Sequence, residues 1–94
     1  MGIRVLIADD HKIMRAGLRS LLEKQAEFEI VAEAENGRKA VQIAQEQKPD
    51  VVVMDVSMPD LNGIEATTQI IESLPETRVI ALSMHSDKRF VMGM

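Results

Sequence analysis

Cysteine is absent from the 94 residues, which leaves no disulfide framework and no thiolate metal site. Tryptophan and tyrosine are absent as well, and phenylalanine occurs only as Phe28 and Phe90. Stacking platforms for single-stranded nucleic acid are thereby excluded. Positive charge is in deficit: 11 Lys and Arg stand against 15 Asp and Glu, a formal net charge of −4. A nucleic-acid face needs the opposite balance, so no nucleic-acid contact is expected from this chain itself. No apolar run approaches the ~20 residues of a membrane span. The first residues carry neither the apolar stretch nor the cleavage site of a secretory signal. The expected compartment is the cytoplasm, with no membrane partner. No repeat, low-complexity tract or linker divides the chain. What remains is one domain of ordinary globular composition, 46% hydrophobic and 28% charged.

Within it, short apolar runs alternate with longer helical stripes. Ile3, Val5, Leu6, Ile7 and Ala8 form a β-branched, unalternated run that suits a strand buried on both faces. Over residues 12–25, Met14, Leu18, Leu21 and Leu22 fall at i, i+4, i+7 and i+8, one helical face, with Lys12, Arg15, Arg19 and Lys24 largely off it. Residues 29–34 read as a second strand with Ile30, Ala32 and Ala34 on one side. Asn36-Gly37 resembles a hairpin turn, but Ala40, Val41 and Ala44 follow at helical spacing, so Asn36 is expected to cap a second helix. Pro49 stops it. Residues 51–54 form a third strand ending in Asp55, and residues 57–63 a loop punctuated by Pro59, Asn62 and Gly63. A third helix is expected over 64–74, a fourth strand over 79–82, and a fourth helix from Asp87 onward. Alternating strands and helices imply parallel pairing with right-handed crossovers, hence an α/β, doubly wound sheet of flavodoxin-like order 2-1-3-4.

Ligands of such sheets bind at the carboxyl ends of the strands, at the switch point between strands one and three. Strand one ends in Asp9 and Asp10, strand three in Asp55 and strand four in Ser83. Convergent carboxylates repel, so they raise one another's pKa values or hold a cation. An all-oxygen set with an incomplete protein cage suits Mg²⁺. Each piece alone has a plainer reading. Asp9-Asp10 before a helix resembles capping chemistry, Asp55 a loop acid after a strand, and Ser83 a turn residue. His11 and His85 read as exposed residues near helix starts, Met14 and Met54 as core filler, and Arg4 as a strand-end residue rather than a phosphate ligand. The combination of three acids and a hydroxyl on adjacent strand ends is what points to a site.

The segments Ile3-Arg4-Val5-Leu6-Ile7-Ala8-Asp9-Asp10-His11 and Val53-Met54-Asp55-Val56-Ser57-Met58-Pro59-Asp60-Leu61-Asn62-Gly63 resemble the receiver domain of bacterial two-component response regulators. Within that family they are most similar to receivers that precede a helix-turn-helix output domain. The resemblance implies that Asp55 is the phosphoacceptor for a sensor histidine kinase's phosphohistidine. It implies Mg²⁺ held by Asp10, Asp55 and the main-chain carbonyl of Ser57, with Asp9 acting through water. Ser83 would be the switch hydroxyl that bonds a phosphoryl oxygen, and His85 would lie near the pocket.

Relative to that family, residues 1–94 are expected to be one receiver domain truncated within helix four. The family's fifth strand, with its phosphoryl-pairing lysine, its fifth helix and the DNA-binding output domain through which transcription would be controlled would then be missing. Strand four would be an open sheet edge, and self-association through the strand-four and helix-four region is expected. Two other readings compete. A pseudo-receiver would serve as a phosphorylation-independent interaction scaffold. A haloacid-dehalogenase-type phosphatase requires a second Asp two residues after the nucleophile, where this chain has Ser57. A P-loop nucleotidase is excluded because no Gly-x-x-x-x-Gly-Lys occurs.

Overall fold

The computed structural model describes residues 2–55, 63–82 and 90–93. Its elements follow in the order β1 (Ile3–Ala8), α1 (Lys12–Glu23), β2 (Phe28–Ala34), α2 (Gly37–Gln47), β3 (Val51–Asp55), α3 (Gly63–Ser73), β4 (Arg78–Leu82) and β5 (Phe90–Gly93). The sheet order is β2-β1-β3-β4-β5. Its first four strands are parallel, in the 2-1-3-4 order expected from the sequence.

The apolar runs sort themselves by strand alternation. Leu6, Ala8, Val52 and Met54 point to one face, where they pack with Ala40, Val41 and Ala44 of α2, Ala66 and Ile70 of α3, and Val79 of β4. Val5, Ile7 and Val53 point to the other, under Leu18 and Leu22 of α1 and beside Phe28 and Ile30. Ala40, Ala44 and Ala66 are fully buried, so their lack of side-chain bulk lets α2 and α3 lie close to the sheet and to each other.

Local chemistry fixes the ends of α2. The Asn36 side chain accepts from the Lys39 main-chain N–H at 2.9 Å, the N-cap expected from the sequence. At the other end Lys48 takes a left-handed conformation with φ 49° and donates its N–H to Ala44. The guanidinium of Arg4 closes this end: its Nη1 donates to the carbonyls of Gln47 at 2.6 Å and Lys48 at 3.2 Å. Its positive charge meets the negative end of the helix dipole. Arg4 thus sits at the strand end remote from the acids, as its position in the run implied.

Three expectations are corrected. Leu21, placed by its spacing on the buried face of α1, is 62% exposed. Leu18 and Leu22 make the contact, and a single helix on a sheet buries a stripe narrower than the spacing pattern spans. The second is Ile30: expected on the same side of β2 as Ala32 and Ala34, it packs on the opposite face with Val5 and Ile7, because the β1–β2 pairing shifts register between Val5 and Leu6. The third concerns the C-terminal residues. The helix expected from Asp87 onward is not what residues 90–93 form; they are strand β5, antiparallel to β4, with Leu82 paired to Phe90 and Val79 to Gly93. An open edge of β4 leaves a row of main-chain donors and acceptors without partners, and a β-favouring segment led by Phe90 and Val91 satisfies them. The β4 edge is therefore covered.

Candidate functional site

The register of the two central strands builds the site. Ala8 pairs with Met54, so the residues one step further along, Asp9 and Asp55, emerge side by side. Their side chains are each only 2% exposed. Asp10 and His11 continue the chain over the same spot. Each of Asp9, Asp10, His11 and Asp55 offers one ligand atom, and these four atoms all lie within 4.8 Å of one another. The convergence of Asp9, Asp10 and Asp55 inferred from sequence is thus found, and His11 joins it although its side chain is 58% exposed.

The capping explanation for Asp9 does not hold. His11 is the N-cap of α1 and makes no side-chain cap bond. Asp9 Oδ1 accepts instead from the main-chain N–H of His11 itself at 2.7 Å, outside the first helical turn. The Asp9 N–H donates to the carbonyl of Ala34 at 3.0 Å, extending the pairing of β1 with β2 by one residue. His11 Nδ1 lies 3.0 Å from Asp10 Oδ1 and 3.4 Å from Asp9 Oδ1, contacts that become ionic when the ring is protonated.

This crowding has an electrostatic consequence. Burial pushes the Asp9 carboxyl above its ordinary value of 3.8. The His11 amide hydrogen bond opposes that rise and the neighbouring Asp55 charge adds to it. Two carboxylates with ligand atoms within 4.8 Å of each other repel by about 3.5 kcal/mol or more at an effective dielectric of about 20. A cation relieves this penalty. The donor chemistry fits a hard divalent ion: three carboxylates supply oxygen, and Asp10 Oδ1 is buried and receives no hydrogen bond.

One residue that the spacing left on the outer face of α1 reaches back to the site. Arg15, one helical turn after His11, donates from Nη1 to the Asp9 carbonyl at 2.6 Å and from Nε to Glu33 Oε1 of β2 at 3.2 Å. The sequence carries only a general signal for this and does not name the partner. A long cationic side chain one turn into a helix leans back toward its N-terminus, over the preceding strand end. Ser57 and Ser83, together with Met58, Pro59, His85, Lys88 and Arg89, lie outside the described residues.

Comparison with known proteins converges on one family. The model of the response regulator receiver domain matches residues 5–93. The transcriptional regulatory protein DegU of Brevibacillus brevis is 42% identical over 89 residues, covering 95% of this chain and 38% of that protein. The response regulator protein VraR of Staphylococcus aureus is 45% identical over 83 residues, covering 88% of this chain and 40% of its own length. A solved two-component response regulator of the LuxR family from Aurantimonas sp. SI85-9A1 superposes with a TM-score of 0.85 at 37% identity, over 92% of this chain and 61% of that one. The chain spans about two fifths of the length of the curated relatives it matches.

Proposed function

The chain belongs to the response regulator receiver-domain family, a signalling domain of two-component systems rather than a catalyst, and we propose that Asp55 is its phosphoacceptor. The observation that supports this reading is the burial of Asp55 beside Asp9 and Asp10 at the carboxyl end of the central strands. In the proposed step a carboxylate oxygen of Asp55 attacks the phosphorus of a kinase phosphohistidine. The new O–P bond forms as the P–N bond breaks, and its electron pair leaves with the imidazole. Attack of water on that phosphorus, breaking the O–P bond to Asp55, would return the carboxylate and inorganic phosphate.

Asp9, Asp10 and Asp55 would hold Mg²⁺, with the Ser57 carbonyl as a further ligand and Asp9 through water. When bound, Mg²⁺ supplies positive charge that neutralises the phosphoryl oxygens. Asp10 Oδ1 is buried for that ligand role, with the partly exposed His11 ring nitrogen beside it at 3.0 Å. Asp9 keeps its place through the His11 amide. Ser83, directly after β4, would donate its hydroxyl to a phosphoryl oxygen and draw the following segment toward the site, a local charge event read out as a displaced surface. In the whole protein that surface would control an output domain that binds DNA and regulates transcription, in the cytoplasm, where the kinase's catalytic portion would meet it. Among the described residues no helix is long and apolar enough to cross a membrane. A homodimer expected through the β4 region would form instead at β5, one of the two edge strands of the sheet. Light scattering that stays monomeric at rising concentration would refute it.

The test is the intact mass of the chain after incubation with a small-molecule phosphodonor and Mg²⁺. One phosphoryl adduct is expected, absent in Asp55→Asn and absent when Mg²⁺ is chelated. A folded chain that never gains the adduct would refute the phosphoacceptor reading and leave the pseudo-receiver in its place.

A further inference from the structure

We propose that Arg15 is a positioning residue for the cation-binding end of the site, holding the Asp9–Asp10 peptide so that both carboxylates face Asp55. The inference rests on the reading that these acids hold Mg²⁺, and it adds a residue from α1 that makes no contact with the ion.

The argument begins with the repulsion among the acids. The turn that carries Asp9 and Asp10 is pushed outward by Asp55, and its main chain must be held against that push. Three hydrogen bonds hold Asp9. Its N–H donates to Ala34, its Oδ1 accepts from the His11 amide, and its carbonyl accepts from Arg15 Nη1 at 2.6 Å. The third is special because the Asp9 carbonyl belongs to the peptide that joins Asp9 to Asp10. Fixing that peptide plane fixes the position of the Asp10 Cα, from which the Asp10 side chain reaches toward Asp55.

Arg15 is itself held. Its Nε donates to Glu33 Oε1 at 3.2 Å, and its side chain is only 16% exposed. The second oxygen of Glu33 binds Arg19, whose Nε in turn reaches Glu23 at 3.0 Å. The guanidinium spans β2 and the β1–α1 turn with two donors in one rigid plane. A lysine ammonium carries the same charge without that fork, so charge and geometry are separable. Arg19 provides the matched control, since it binds the same Glu33 but not the Asp9 carbonyl.

The experiment measures Mg²⁺ affinity by titration calorimetry and, without metal, amide hydrogen exchange at His11. The proteins are the parent chain, Arg15→Lys, Arg15→Gln and Arg19→Gln. Outer-shell partners of metal ligands typically contribute about 10–100-fold in affinity. Arg15→Gln is expected to weaken Mg²⁺ binding within that range and Arg15→Lys by about tenfold. Arg19→Gln is expected to stay within about twofold of the parent. Exchange at the His11 amide, which reports the bond to Asp9 Oδ1, is expected to quicken in both Arg15 variants and not in Arg19→Gln. Should Arg15→Gln fail to fold, Arg15→Lys carries the comparison alone. The proposal is overturned if the Arg15 variants that fold bind Mg²⁺ within about twofold of the parent with His11 protection unchanged. It is equally overturned if Arg19→Gln weakens binding as much as they do. A parent chain that takes up no Mg²⁺ refutes the metal reading instead, and metal-free exchange at His11 then decides whether Arg15 positions the turn.

Discussion

Neutralising Asp9 is expected to stabilise the metal-free protein. Asp9 is buried, and its ligand oxygen lies within 4.8 Å of that of Asp55. At an effective dielectric of about 20 that pair repels by about 3.5 kcal/mol. Asp9→Asn removes the repulsion but keeps an oxygen for the His11 amide. The charge assistance of that hydrogen bond is lost, at a cost of about 1 kcal/mol. The net gain is about 1–2.5 kcal/mol, which for a domain of this size raises Tm by roughly 5–15 °C. Thermal unfolding followed by far-UV circular dichroism at pH 7 with a chelator is the assay. The pH dependence has a definite sign. The folded carboxyl is raised above 3.8, so the folded state holds its proton more tightly than the unfolded chain. The penalty is fully present at neutral pH and is relieved as pH falls through the folded value toward 3.8. The gap between Asp9→Asn and the parent is therefore widest near pH 7 and closes in acid. Mg²⁺ should narrow it too, because a ligand at about 100 times its Kd adds about 2.7 kcal/mol to the protein that binds it. A variant that melts at or below the parent in chelator at pH 7 would show that the acids of this site are not in conflict.

Three further outcomes are expected. Asn36→Ala removes the acceptor for the Lys39 amide and should cost about 1 kcal/mol in urea unfolding; an unchanged midpoint would mean that the cap carries nothing. Arg4→Met strips the last carbonyls Gln47 and Lys48 of their donor and should cost about 1–2 kcal/mol, with amide exchange quickened at the C-terminal end of α2 but not at its start. Glu33 is held below its ordinary value of 4.5 first by Arg19 and then by Arg15. Its contribution is complete above 4.5 and is lost as pH falls through the folded value, so Glu33→Gln should flatten the acid limb of the stability profile; an unaltered limb would refute the assignment.

The parts of this molecule that could be read from sequence were those fixed by period and by punctuation. Strand alternation alone separates Leu6 and Ala8 from Val5 and Ile7, and the structure places the two pairs in different cores. The acids were legible because Asp9, Asp10 and Asp55 end apolar runs, and a parallel register brings those ends together. Asn36 was legible as a cap because helical spacing resumes directly after it. What could not be read depends on distance rather than order. The tie from Arg15 to the Asp9 carbonyl follows from where α1 lies on the sheet, which no periodicity specifies. Leu21 satisfies the helical stripe yet stays in water, because the width of the buried stripe is set by the partner surface. Strand β5 was missed for a related reason. Phe90 and Val91 suit a strand or a helix, and the edge of β4 decides between them.

The two faces of the sheet are built by different means, and the difference bears on the site. On one face α2 and α3 pack through fully buried alanines and Ile70, contacts that salt and pH leave largely untouched. On the other, α1 has no buried residue; it rests on partly buried Leu18 and Leu22 and is tied to β2 through Arg15, Arg19 and Glu33. The Arg19 pairs are exposed and screened by salt, and only the partly buried Arg15–Glu33 pair and two half-buried leucines remain, so α1 should open at lower free energy than α2. The turn that carries Asp9 and Asp10 runs directly into α1, whereas Asp55 ends the fully covered β3. Asp55 thus ends a strand paired on both sides, whereas Asp9 and Asp10 lie in a turn that runs into a helix with no buried residue. The bond from Arg15 to the Asp9 carbonyl is therefore the tie between that helix and the two acids, and their placement depends on it.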